Sequence, residues 1–464
     1  MSGNVTVKIS NFTNGVNYRY DESVLPLTTA SECYNFDFSS GALTDGYGIE
    51  DAHFFNGYSI KSVFHYKKFD HESGQYADQI IGVSSAGEVY VAPLNNPSQI
   101  SKWQGIKLSG DPTFVNYRLY GEDVVIISTP NEGMLVYNGV GEPYFVESAP
   151  TITSMALHYE RLFVTTTGEK NSVWFSDDLD PTNWDSSLDG GGFIQMLDER
   201  GAVNRVISYL GYVYAFRDYG ITRITAYGDQ TDFSVSNLFV SSGKIYPKSV
   251  VNCGDRVIFL AEDGLYAFDG VSASKILSHL GDLIKKGESA VGAYANGKYY
   301  LAFNREQNGE IVGNERANES GNNGLLVYDI NGGEYALSRG IIVSSIASID
   351  GTALACDETG RVGKISKCGS IFSIPLKKKW SLPKSDWGKQ ERKTVRQISI
   401  FTATDIKVTL ISDKRKSTVN IKGKSEVQKR RISFSGRRIG LDIETNSVNV
   451  NVSRPTLGAS VGGF

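Results

Sequence analysis

A two-strand unit repeats along this chain: an apolar strand, a polar turn, then a second strand rich in Tyr, Phe, Val and Leu. The second strands begin near Gly87 (GEVYVAP), Gly133 (GMLVYNG), Ser172 (SVWFSDD), Gly220 (GITRITAYG), Gly264 (GLYAFDG), Gly324 (GLLVYDI) and Gly360 (GRVGKIS). The strands before them are DQIIGVSS, EDVVIIST, ERLFVTTT, GYVYAFRD, DRVIFLAE, GKYYLAFN and GTALACDE. The intervals of 46, 39, 48, 44, 60 and 36 residues average about 45, the spacing of a β-propeller with four-stranded blades. A lone hairpin is marginal in water, so each unit must bury its faces against neighbours, and a closed ring leaves few edges exposed. The expected fold is all-β: a propeller-like ring of about seven sheets, an N-terminal arm and a C-terminal antiparallel β-domain.

Composition supports that reading. Gly is 49 of 464 residues, Tyr and Phe number 25 and 22, and Pro is only 12. Turn residues such as Asp263-Gly264 and Asn331-Gly332 suit tight hairpins. Residues 274–286 (SKILSHLGDLIKK) are the one stretch with helical period, weakened by Gly281, and predict a short amphipathic helix between blades.

The expected divisions are an arm and strand over residues 1–57, the repeat domain over 58–375, a basic linker over 376–393, and a β-domain with a tail over 394–464. The arm opens with the alternation Val5, Val7, Ile9 and is placed either outside the ring or in the C-terminal sheet. Beyond the linker, Ile406/Val408/Leu410, Val419/Ile421, Ile432/Phe434, Ile439/Leu441/Ile443 and Val448/Val450/Val452 alternate as half-buried strands. Residues 453–464 read as a loop-like tail. No apolar run approaches the roughly 18 residues of a membrane span, and the first residues hold no apolar signal segment. Neither stable membrane insertion nor ordinary secretion is expected.

Charge is segregated. The net charge is −4, yet residues 376–438 hold 19 Lys or Arg against 5 Asp or Glu, a local +14 that leaves −18 elsewhere. Lys414, Arg415 and Lys416, then Lys429, Arg430 and Arg431, then Arg437 and Arg438, form clusters expected before or between strands. They make a candidate partner-contact patch, for an acidic protein surface or a DNA backbone. No recognition helix or zinc module accompanies them, so sequence-specific base reading is not expected.

No reacting constellation emerges. Cys33, Cys253, Cys356 and Cys368 lie far apart and are expected as free thiols. His53, His65, His71, His158 and His279 form no metal spacing. Asp177, Asp178 and Asp180 are similar to a sialidase Asp-box, itself a structural turn, and are the right chemistry for calcium, but no Gly or closing Glu completes a loop. Arg161, Arg205, Arg217, Arg223 and Arg256 lie near blade strands, where arginines serve as solvated residues or inter-blade salt bridges. Gly-x-Ser-x-Gly, P-loop and His-Glu-x-x-His motifs do not occur. No enzyme, cofactor or metal is expected. The insertion over residues 304–323, with Asn304, Glu310, Asn314, Asn318 and Asn323, is polar and without period and predicts a mobile loop; under the resemblance given next it would narrow a channel or touch a fibre.

Two stretches carry a resemblance. The first runs Phe12, Gly15, Val16, Asn17, then Leu25-Pro26, Ser31-Glu32-Cys33-Tyr34-Asn35, and Asp37-Phe38-Ser39-Ser40-Gly41-Ala42-Leu43, closing at Gly48. The second is Glu160-Arg161-Leu162-Phe163-Val164, followed by Ser172-Val173-Trp174-Phe175-Ser176 and Asp180-Pro181-Thr182-Asn183-Trp184. Together they resemble the tail nozzle, or tail tubular protein B-like, structural proteins of short-tailed bacteriophages. The resemblance implies a virion tail component, made in the host cytoplasm, that assembles as a hexameric ring around the DNA exit channel. It implies docking to a tail adaptor ring and to fibre or spike proteins, with DNA passing through unread and no catalytic residues. Two other classes stay open: a receptor- or polysaccharide-binding propeller on a virion or cell surface, and a sialidase-like glycosidase.

Overall fold

The paired strands of the first six repeats each form the middle of a four-stranded antiparallel sheet, those of the seventh lie in a six-stranded sheet, and their unbroken apolar runs are almost wholly buried. In the first blade Ile80, Ile81, Val83 and Val89 are sealed from solvent; in the second, Val125, Ile126, Ile127 and Leu135 are. A strand enclosed on both faces needs no polar alternation, hence runs such as VVIIS. The computed structural model describes residues 4–71, 73–186, 190–283, 286–305 and 321–461.

Among the described residues, seven sheets form seven successive blades. From the inner strand outward, the first is Ile60–Tyr66, Gln79–Ser84, Glu88–Pro93 and Ser101–Lys107. The second is Thr113–Leu119, Glu122–Thr129, Gly133–Tyr137 and Tyr144–Val146; the third is Ile152–His158, Arg161–Thr166, Ser172–Phe175 and Gly192–Gln195. The fourth is Val203–Tyr209, Tyr212–Arg217, Gly220–Thr225 and Ser234–Val240; the fifth is Val251–Asn252, Val257–Ala261, Gly264–Phe268 and Ala273–Ile276. The sixth is Lys286–Ala295, Lys298–Asn304, Gly324–Asp329 and Tyr335–Arg339.

The seventh blade is completed from the other end of the repeat region. Val343–Ile349, Thr352–Asp357 and Val362–Ser366 come from its own repeat, and Gly48–Asp51 adds the next strand, Ile49 opposite Ile365. The ring is tied shut beside it: the Ile60 amide donates to the Gly360 carbonyl (2.9 Å), and the Ser345 hydroxyl donates to the Lys61 carbonyl (2.8 Å). Phe55, Ile60, Val63, Ile349, Leu354 and Val362 fill the seam. The arm therefore belongs to the ring as well as to the C-terminal sheet.

The remaining strands form a sandwich. One sheet runs Phe36–Asp37, Leu43–Asp45, Asn451–Val461, Lys393–Thr402, Glu426–Gly436, with Asn4–Lys8 also on Asn451–Val461. The other runs Glu32–Tyr34, Lys378–Ser385, Ile439–Thr445, Ile406–Ile411, Lys416–Ile421. Between them lie Trp380, Ile398, Val408, Leu410, Leu441 and Val452, continuous with side chains of blades five and six. Phe12 meets Trp380 edge-on at 4.9 Å.

Three sequence expectations are corrected. Residues 274–283, the described part of the 274–286 stretch that precedes the next strand, are not an amphipathic helix: Ile276 pairs with Leu265 in the outer strand of blade five, and the 3₁₀ turn Ser278–Leu283 is kinked at Gly281 (φ 52°). Sheet pairing outweighed a weak helical period. Residues 376–393 are not simply a linker, because they hold Lys378–Ser385, whose Trp380 and Leu382 are core. Two lysines of this stretch, Lys378 and Lys393, are buried with partners. Lys378 Nζ reaches Asp45 Oδ1 at 3.1 Å and donates to the Ser447 carbonyl at 2.7 Å. Burial pushes its ammonium down while Asp45 opposes that. The tail is a strand through Val461, because Val452, Leu457 and Ala459 face the core and Asn4–Lys8 covers its flank.

Candidate interaction surface

Sheet order decides which side of the sandwich is available. In both sheets the strands from the arm, Phe36–Asp37 and Glu32–Tyr34, lie at the edge facing the propeller. Asn35 makes the joint. Its amide donates to the Leu337 carbonyl (2.9 Å), its Oδ1 accepts from the Arg339 amide (2.7 Å), and its Nδ2 donates to the carbonyls of Arg339 (3.0 Å) and Lys377 (2.7 Å). The outer strand of blade six is thus welded to the sandwich. Glu426–Gly436 and Lys416–Ile421 lie at the opposite edges, joined by four residues, and form the flank turned away from that joint.

The eight basic residues of the patch all lie on or beside this flank. Lys414 and Arg415 form the turn into Lys416–Ile421, as the sequence indicates, and Lys416 opens that strand. Lys429, Arg430 and Arg431 do not precede a strand; they lie within Glu426–Gly436, opposite Ser399, Ile398 and Gln397. Lys414, Arg415 and Arg437 share a groove of about 580 Å³ with Glu391, Arg392 and Asp413. Arg430 is held by Gln428 Oε1 (2.9 Å), and Arg438 donates to the Lys384 carbonyl (3.0 Å).

The structure separates two kinds of basic residue that sequence cannot tell apart. Lys379 pairs with Glu32 (2.6 Å), Lys377 and Lys407 with Glu444 (3.3 and 3.0 Å), and Lys422 with Asp405 (2.6 Å). Lys414, Arg415, Lys416, Lys429, Arg431 and Arg437 have no carboxylate partner among the described residues. Cations on an edge strand also discourage strand addition, so this flank favours side-chain contacts over sheet extension.

The other candidates resolve into structural parts. Asp180 Oδ1 accepts from the amide and hydroxyl of Thr182 (2.9 and 2.6 Å), and Asp177 Oδ2 accepts from Asn183 Nδ2 (2.9 Å), so these carboxylates hold the turn. No group of three metal-ligating side chains occurs among the described residues. Arg161 donates to the carbonyls of Ser176 (3.1 Å) and Gly190 (2.9 Å), and Trp184 is buried. Arg217 is sealed inside blade four against Asp198 (2.6 Å), Arg256 pairs with Asp255 (2.6 Å), and Arg223 lies 4.7 Å over the Tyr212 ring. Arg205, on the inner strand of blade four, has a buried Nε with no hydrogen-bond partner among the described residues, and burial pushes its guanidinium down. His65 clamps Asp78 at 2.7 Å. His158 meets Ser208 at 2.9 Å, and burial pushes it and His279 down. All four cysteines are unpaired.

Of the proposed gate, Glu310, Asn314 and Asn318 lie outside the described residues. Asn304 and Asn323 form its base: Asn304 Nδ2 donates to the Gly321 carbonyl (2.8 Å), and Asn323 exchanges hydrogen bonds with the Arg305 backbone (2.7 and 3.1 Å).

No protein-family model matches the chain, and no curated protein is similar to it. Similar solved structures include BBS1N in complex with ARL6DN (12% identity, 68% of this chain and 95% of that one, TM-score 0.43). They also include the Neurospora crassa Pan2 WD40 domain (10% identity, 67% and 90%, TM-score 0.40). A third is the extracellular domain of the hybrid two component system BT4673 from B. thetaiotaomicron (13% identity, 69% and 39%, TM-score 0.44). These likenesses are remote, and the propeller assignment rests on the seven sheets and their closure.

Proposed function

We propose that this chain is a non-catalytic binding and assembly scaffold, whose propeller and welded sandwich hold a basic flank for docking an acidic protein surface. The observation that carries the reading is the separation just described: Lys377, Lys378, Lys379 and Lys407 are consumed by internal pairs, while six cations on the far flank have no carboxylate partner among the described residues. Rigid attachment through Asn35 lowers the ordering cost of presenting them. In its finer form the protein is a tail nozzle component of a short-tailed bacteriophage. It forms a ring, with six copies expected, around the DNA exit channel and docks to an adaptor ring and fibres. Mass photometry and negative-stain imaging of the full chain test this. Rings of about six copies with an axial opening are expected, and a strict monomer, alone and with other tail proteins, would refute it.

A second reading, polysaccharide or receptor binding, has its own observation. A groove of about 810 Å³ at the mouth of blades one, two and seven is lined by Phe64, Tyr76, Lys67 and Asp78, and the Tyr76 ring is largely exposed. Aromatic rings beside polar groups suit stacking on sugars. Glycan-array binding lost on Tyr76→Ala would favour it.

A further inference from the structure

Because blades one to six are antiparallel meanders, their first-to-second and third-to-fourth strand connections emerge on one face of the ring. Over blades two to four that face carries large apolar side chains in solvent: Tyr120 (81% exposed), Tyr227 (75%), Leu210 (62%) and Tyr159 (58%). The Tyr120 hydroxyl donates to Asp180 Oδ2 of the next blade (3.2 Å), and the Tyr159 and Tyr227 rings meet across blades three and four at 5.9 Å. Tyr120, Tyr159 and Leu210 each sit in the tight turn after an inner strand with φ of 50°, 50° and 47°. Bulky residues disfavour that conformation, whereas Asn and Asp tolerate it. Blades six and seven place Asn296 and Asp350 at the same position, both at φ 46°. Blades two to four thus bear a conformational cost to hold apolar groups in water, the mark of a contact surface.

The same face is acidic. Residues 118–123, 138–143, 158–161, 176–183 and 226–233 contain nine carboxylates against two arginines. Arg161 is turned inward to backbone carbonyls, and Arg118 meets His71 at 3.3 Å. A surface of opposite sign exists on this molecule, the basic sandwich flank. The sandwich that carries this flank is welded by its opposite edge to blade six, across the ring from blades two and three, so one copy cannot satisfy its own face.

We propose that the acidic, tyrosine-bearing face of blades two to four is the docking surface for the basic sandwich flank of a second copy of this chain. The inference rests on the reading of that flank as a protein-binding surface. Flank and face differ, so the contact is heterologous and leaves each bound copy one surface of each kind, which closes a ring or extends a filament. Opposed charges set the orientation, and the tyrosines supply the apolar contact.

Charge reversal in the full chain tests it, read by sedimentation velocity and mass photometry across a concentration series. Lys414→Glu with Lys429→Glu and Arg431→Glu, or Glu122→Lys with Glu160→Lys and Asp178→Lys, should each weaken self-association by about tenfold or more. Mixing the two reversed proteins should restore assemblies that contain both. Tyr120→Asn with Tyr159→Asn should weaken association while leaving the melting temperature unchanged or higher; a lower melting temperature with intact association would make those rings structural and overturn the proposal. If flank reversal abolishes association but face reversal does not, the flank docks elsewhere and this proposal falls while the scaffold reading stands. If the wild-type chain stays monomeric at every concentration, this proposal falls, and the scaffold reading falls with it only if the chain also stays monomeric when mixed with other tail proteins.

Discussion

Tyr66, at the end of the first inner strand, donates its phenolic hydrogen to the main-chain carbonyl of Asp123 in the next blade, 2.6 Å away. The contact recurs. Tyr117 donates to the Glu160 carbonyl (2.9 Å) and Tyr209 to the Asp255 carbonyl (2.6 Å), each reaching one blade onward near the first turn. The inner strands converge there, and a tyrosine at the strand end spans the gap while its ring fills it. Tyr66→Phe keeps the ring and removes the donor, leaving a carbonyl with reduced pairing at a buried seam. A loss of about 1–2 kcal/mol is expected. Urea unfolding followed by tryptophan fluorescence measures it, and an unchanged midpoint would contradict the role.

Asn35→Ala should be more damaging, by about 2–4 kcal/mol, because it removes three side-chain hydrogen bonds and places alanine at φ 59°. Asn35→Gly relieves the backbone term but not the hydrogen bonds, so it should fall between alanine and wild type. Limited proteolysis should cut the chain near residues 30–45 in the alanine variant first.

Gly363 lies where the closing strand crosses the seventh blade. A Cβ there would press on the Ile49 side chain and sit 2.6 Å from the Glu50 carbonyl oxygen. Gly363→Ala should therefore displace Gly48–Asp51 and cost about 2 kcal/mol or more, comparable to overpacking a core. Hydrogen exchange should report faster exchange at Ile49 and Ile365, while the middle strands of blades two to four stay protected.

Burial pushes the Asp198 carboxyl up, but hydrogen bonds from the Arg200 amide and the Arg217 guanidinium outweigh it and hold it down at about 2. A carboxyl depressed in the folded state contributes stability that is present above its unfolded value, about 4, and is lost as pH falls toward 2. The melting temperature should decline over that window. Asp198→Asn should start lower at pH 6 and decline less below pH 4; parallel curves would exclude Asp198 as a source of the acid sensitivity.

Much of the ring was legible because apolar runs and turn residues are local. The middle strands begin where the repeats indicate, at Gly133, Ser172, Gly220, Gly264 and Gly324. The partners of the ring's last blade were not legible. Ile49 pairs with Ile365 across more than 300 residues, and nothing near Ile49 marks it as a propeller strand rather than part of an arm. The basic clusters were visible as composition, but whether a given lysine is buried ballast or an exposed contact depends on a carboxylate that sequence distance hides, as with Lys379 and Glu32.

The sequence alone determined the all-β class, the number of repeats and the asymmetry of charge, because hydrophobic period and turn chemistry act over a few residues. Only the tertiary structure decided how the ring closes, that residues 376–393 enter a sandwich, and which cations face outward. Those outcomes depend on backbone pairing and charge neutralisation between segments distant in sequence, where a single strand's pattern is compatible with many neighbours and packing selects one.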